Sequence, residues 1–168
     1  MEIFEPIIEA LERNGVRYVV VGGVAVVLQG HPRFTADLDL VVDLEEREAR
    51  KAIETLLEQG FQARVPVDPF GLADPEQRAR WIAEKGMRVF SLYDPSDPMR
   101  VVDLFVEEPI PFDDLYERSE IMALGRTPVR VAAIEHLVHM KRVAGRPQDR
   151  LDIDDLEAIL RLRDERNE

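Results

Sequence analysis

The most constraining feature of this chain is a pair of glycines at the end of an apolar run, followed at fixed distance by two spaced acids. Tyr18 to Val21 reads YVVV and ends at Gly22 and Gly23; thirteen residues then lead to Asp37-Leu38-Asp39. The β-branched run predicts a short buried strand, and the glycines predict a turn free of side chains. Val24 to Gln29 predicts a helix of under two turns stopped by Gly30, with its unpaired N–H groups aimed at an anion above the glycines. A simple tight turn is the competing reading of the glycines.

The next strand is predicted over Ala36 to Asp43. Side chains alternate along a strand, so Asp37 and Asp39 share one face about 7 Å apart, while Leu38, Leu40 and Val42 take the other. A third acid, Asp103, interrupts the apolar run Arg100 to Val106. Burying a carboxylate there is costly without a cation or donors, and pairing of the two strands would complete a three-carboxylate cluster. Hard oxygen ligands suit Mg²⁺ or Mn²⁺, not zinc. Glycines with three acids suit phosphoryl or nucleotidyl transfer. Asp43 is read as a strand-end or helix-capping acid, and His136 and His139, which lack further ligands at metal spacing, as ordinary helix residues.

These motifs resemble the nucleotidyltransferase fold of the DNA polymerase β type. Gly22-Gly23-Val24-Ala25, Arg33-Phe34-Thr35-Ala36-Asp37-Leu38-Asp39-Leu40, and the later Lys141, Arg146 and Asp149 are similar to the AbiEii/AbiGii-type toxin nucleotidyltransferases and their uncharacterised relatives. The resemblance implies an α/β (α+β) domain with a small mixed sheet flanked by helices and a C-terminal helical pair. It implies transfer of a nucleoside monophosphate from an NTP to a hydroxyl on an RNA end or a protein, and an antitoxin protein as partner. Asp37, Asp39 and Asp103 would hold the metal. Asp103 would also help deprotonate the acceptor, Gly22 and Gly23 would cradle phosphates, and Lys141 would offset their charge. Arg33 and Thr35 would position the triphosphate or order their loop. A Gly-Ser pair is commoner than Gly-Gly at this place, so a hydroxyl is missing here. A small-molecule, antibiotic-type nucleotidyltransferase and a non-catalytic nucleotide-binding module remain alternatives.

At 168 residues one domain is expected, with a core over 1–108 and a C-terminal hairpin and helices over 112–165. A net charge of −12 disfavours general nucleic-acid binding; Arg33, Lys141, Arg142, Arg146 and Arg150 could still form a local basic patch. The absence of cysteine, of a signal-like N-terminus and of an eighteen-residue apolar stretch predicts a cytoplasmic protein with no membrane contact.

The remaining pattern predicts a first helix capped at Asn14-Gly15, a helix over Leu44–Gln59, and a strand over Phe61–Val65. A loop follows over Pro66–Pro75, then a helix over Glu76–Lys85 and strands over Met87–Leu92 and Arg100–Val106 joined by a turn at Asp94–Met99. A helical turn at Phe112–Arg118 leads to a hairpin over Ile121–Val131 and to helices over Ala132–Ala144 and Asp149–Arg163. Trp81 and Phe70 are read as core anchors.

Overall fold

The computed structural model describes residues 1–167. Seven strands, β1 (Tyr18–Val21), β2 (Asp37–Val42), β3 (Gln62–Ala63), β4 (Val89–Asp94), β5 (Asp97–Phe105), β6 (Glu120–Leu124) and β7 (Thr127–Val131), form one mixed sheet. Their order is β3-β4-β5-β2-β1-β7-β6. The helices are α1 (Glu5–Arg13), α2 (Gly22–Leu28), α3 (Glu46–Glu58), α4 (Pro75–Lys85), α5 (Phe112–Glu117), α6 (Ile134–Ala144) and α7 (Pro147–Asn167).

The period-two pattern is realised as expected. Leu38, Leu40, Phe90, Leu92, Val102 and Leu104 are fully buried on one side of the sheet, and the acids alternate with them. β2 lies parallel to β5, with Asp39 opposite Asp103. β7 lies parallel to β1, so the hairpin β6–β7 extends the same sheet. Asp43 acts at a strand end: it pairs with Arg17 and accepts the Glu45 N–H.

Several boundaries differ from the sequence expectation. Asp94 accepts hydrogen bonds from both the N–H and the hydroxyl of Ser96, which tightens the turn so that Asp94 pairs with Asp97 and the strands run further. The Pro66–Pro75 segment contains a 3-10 helix, Pro69–Ala73, capped by Asp68. It packs under Trp81, where a Cβ on Gly71 would lie 2.5 Å from the ring; Trp81 is buried and stacked on Phe90. α7 begins at Pro147 because proline suits the first helical turn. Among the described residues no helix is long and apolar enough to cross a membrane.

Candidate active site

β1 ends against its neighbour β2, with Val21 opposite Asp39, and α2 begins there, at Gly22 rather than at Val24. Gly22 has φ +64, and a Cβ on it would lie 2.0 Å from Asp39 Oδ2. A Cβ on Gly23 would lie 2.4 Å from Thr35 Oγ1 and 3.7 Å from Arg33 Nη2. The glycine pair thus lets a helix start close onto Asp39, Thr35 and Arg33, and the Gly23 N–H is directed to the Asp39 carboxylate. A side chain at either position would displace an acid or the loop that precedes it.

Asp37, Asp39 and Asp103 share one face and are half-buried. Burial first, then the charges of Asp103 and Asp37, push Asp39 up to about 7; Gly23 and Arg146 oppose the shift. Burial also raises Asp103, against a lowering hydrogen bond from Ser91, whose hydroxyl donates to Asp103 Oδ1 at 2.5 Å. Among the described residues no three acid or histidine side chains stand as a ready ligand set for one ion. The donor set nevertheless fits Mg²⁺ or Mn²⁺. These ions need only one or two carboxylates and complete their shells with water and phosphate oxygens, and the raised carboxyls mark a place where added positive charge is favourable.

The C-terminal helices bring a charged network to the same place. Lys141 on α6 is 7% exposed and its Nζ lies 2.6 Å from Asp152 and 3.4 Å from Asp149, both on α7. Arg33, beside Gly23, also pairs with Asp152. Arg146 holds Asp149 through Nε at 2.9 Å, Nη2 at 3.2 Å and its backbone N–H at 3.0 Å; its largely exposed guanidinium still acts on Asp39. Burial would raise Asp149, but the side-chain and backbone hydrogen bonds from Arg146 hold it below the usual carboxylate range. His31 pairs with Asp155 and so ties the same loop to α7.

The structure therefore gathers Gly22, Gly23, Arg33, Thr35, Asp37, Asp39 and Asp103 around the start of β2, with Lys141 reached through Asp152. Lys141 is engaged by two acids, so its charge is already partnered. Arg142 pairs instead with Glu157. Asp152 and Ser91 were not singled out from sequence. Asp152 stands one helical turn from Asp149, the spacing that puts both on one helix face, but α7 is crowded with acids and that signal is weak. His136 is buried in α6 near Asp114 and Arg118, away from any ligand set.

One pH dependence follows for the metal-free chain. Below about pH 4 Asp39 is protonated in both folded and unfolded states. Between pH 4 and 7 the unfolded chain releases that proton while the folded chain keeps it, so stability is lost as pH rises through this window. Asp149, Asp94 and Glu5 are all lowered and titrate beneath the window; Asp103, raised by burial, adds to the loss, and His136, lowered by burial, opposes it. Partial solvent access reduces the loss to about 2 kcal/mol. In chelator the Tm should fall between pH 5 and 8, and Asp39→Asn should flatten the curve; a Tm that rises over this range would refute the assignment.

Comparison with known proteins gives a consistent answer. A family model described as "Nucleotidyl transferase AbiEii toxin, Type IV TA system" matches residues 9–165. A search of curated proteins gives no match. Among solved structures, the lincosamide antibiotic adenylyltransferase LnuA with lincomycin bound is similar at a TM-score of 0.63 and 16% identity, covering 94% of this chain and 96% of that one. ANT(2")-Ia in complex with adenylyl-2"-tobramycin is similar at 0.56 and 12% identity, covering 96% and 95%. An antigenic nucleotidyltransferase-like protein from Paracoccidioides brasiliensis is similar at 0.58 and 19% identity, covering 96% and 75%. At these identities the structures share the fold.

Proposed function

The chain belongs to the AbiEii family of nucleotidyl transferase toxins, and from that membership and the site above we propose that it moves a nucleoside monophosphate from an NTP to a hydroxyl on an RNA end or a protein, releasing pyrophosphate. The observation that carries this reading is the register of β2 and β5, which puts Asp39 opposite Asp103 at the start of α2.

In the proposed reaction the acceptor oxygen bonds to the α-phosphorus, and the bond from that phosphorus to the bridging oxygen of the β-phosphate breaks. The hydroxyl proton passes to Asp103, whose Oδ2 is left for it while Oδ1 takes the Ser91 hydroxyl. Gly22 and Gly23 let the start of α2 close against Asp39, Thr35 and Arg33, and the phosphate chain would lie along that edge. Arg33 is kept in place by Asp152, and the same acid holds Lys141 so that their positive charges lie behind the phosphates. Mg²⁺ or Mn²⁺ held by Asp37, Asp39 and Asp103, when bound, would neutralise charge on the phosphates. An antitoxin protein as partner follows from the family's toxin–antitoxin character.

A second reading, a small-molecule acceptor, is favoured by the likeness to the lincosamide and tobramycin-bound structures. Both are tested by transfer of label from each α-labelled NTP, with Mg²⁺ or Mn²⁺, to total RNA, cell protein, lincomycin and tobramycin. The native chain should label RNA or protein, and Asp39→Ala should not. Label on the antibiotics alone would select the second reading. No label on any acceptor, with NTP still bound, would reduce the chain to a nucleotide-binding module.

A further inference from the structure

Beyond Asp103 the sheet continues into a surface that none of the roles above uses. Ser91 on β4 stands opposite Asp103. β3 pairs with β4 through Gln62–Tyr93 and Ala63–Leu92, and Arg64 continues that register by donating its backbone N–H to the Ser91 carbonyl at 3.0 Å. Residues directly opposite one another project from the same face. Asp39, Asp103 and Ser91 therefore form one lateral row across the sheet, and Arg64, exposed in the bend just past β3, extends it. This face is open along β4, where Val89, Ser91 and Tyr93 are half-buried while Phe90 and Leu92 between them are fully buried.

Arg64 differs from the other cations of the site. Arg33 and Lys141 are matched by Asp152, and Arg146 by Asp149. Among the described residues Arg64 forms no ion pair, and the acid its charge acts on is Asp103. Arg64 is exposed, so its guanidinium is open to a ligand at the edge of the row of acids. A guanidinium presents a planar fork of donors that matches a phosphate.

We infer that Arg64 is the acceptor-side specificity residue: its guanidinium takes a phosphate that the acceptor carries next to the attacked hydroxyl, which selects a nucleic-acid end over a cationic small molecule. This rests on the reading of Asp103 as the acid that faces the acceptor. Each cation on the donor side has an acid partner, whereas Arg64 has none among the described residues, so it serves the other substrate.

The test reads binding without turnover. The full chain is titrated with a fluorescent single-stranded RNA trinucleotide ending in a 3′ hydroxyl, and with the same trinucleotide carrying neutral methylphosphonate linkages. The native chain should bind the charged form at least about tenfold more tightly. Arg64→Gln should remove that preference, Arg64→Lys should keep part of it, and affinity for the four NTPs should stay within about twofold. Melting curves check that both variants fold. Equal binding of the two trinucleotides by the native chain would overturn the inference, as would a preference that survives in Arg64→Gln. A loss confined to NTP binding would also overturn it, by placing Arg64 on the triphosphate. Failure of label transfer with the preference intact would sink the transfer reading and leave this one standing.

Discussion

Asp39→Asn should abolish nucleotidyl transfer and at the same time raise the Tm of the metal-free chain at pH 8. The two effects have one cause. Asp39 is ionised at pH 8 only against burial and against the charges of Asp103 and Asp37, so replacing the carboxylate by an amide removes a repulsion. The gain should be about 2 kcal/mol, which is several degrees in a chain of this size. The amide keeps the carboxylate's shape, which matters because the space above Gly22 is filled by this side chain, and its oxygen can still accept from the Gly23 N–H. Transfer should fall by about a thousandfold or more, because a neutral ligand no longer attracts the cation that the phosphates need. Calorimetry with and without Mg²⁺ beside the label assay checks both halves. Native-level transfer, or a Tm lower than that of the parent at pH 8, would sink the account.

Asp152→Leu should be the most destabilising single change at the site, at about 3–5 kcal/mol, because it strips the partner from cations already out of water. Lys141 is 7% exposed and Asp152 6%. Asp149, which meets Lys141 at 3.4 Å, compensates only in part, since Arg146 already occupies it with three donors. The double variant Asp152→Leu with Lys141→Met should recover most of the loss, because an apolar pair of similar volume leaves no charge stranded. Urea denaturation of the three proteins measures this. A loss under about 1 kcal/mol in Asp152→Leu would mean that water reaches Lys141 and that the network is not what docks α7 onto the loop bearing Arg33.

These two acids also mark what the sequence could and could not reveal. Asp39 and Asp103 were legible because a lone acid inside an apolar alternation violates the local pattern, and because the alternation itself fixes which face each residue takes. Most helices announced themselves through spaced apolar residues and glycine stops. Asp152 was hidden because an acid on an acid-rich helix violates nothing; its meaning lies in a contact with Arg33 from the other end of the chain. Arg64 was hidden for a similar reason. Its placement depends on β3, two residues long, and on a register that no local pattern encodes. The 3-10 helix at Pro69–Ala73 escaped because prolines and Gly71 break every period there, while Trp81, ten residues on in the next helix, holds it in place.

The parallel pairing of β2 with β5 bears on when the enzyme becomes active during its own synthesis. The strand that sits beside β2 in space is made only after α3, β3, α4 and β4 have emerged. Parallel neighbours separated in this way close a long loop late. Until then Asp37 and Asp39 lie on an open strand edge with no third acid opposite, and Arg33 waits longer still for α7. A ribosome that stalls before residue 97 therefore holds a fragment that has the DxD acids and the glycines but no Asp103, Lys141 or Asp152. On the proposed function, an unfinished chain lacks the acid that takes the acceptor proton and so would have no transfer activity.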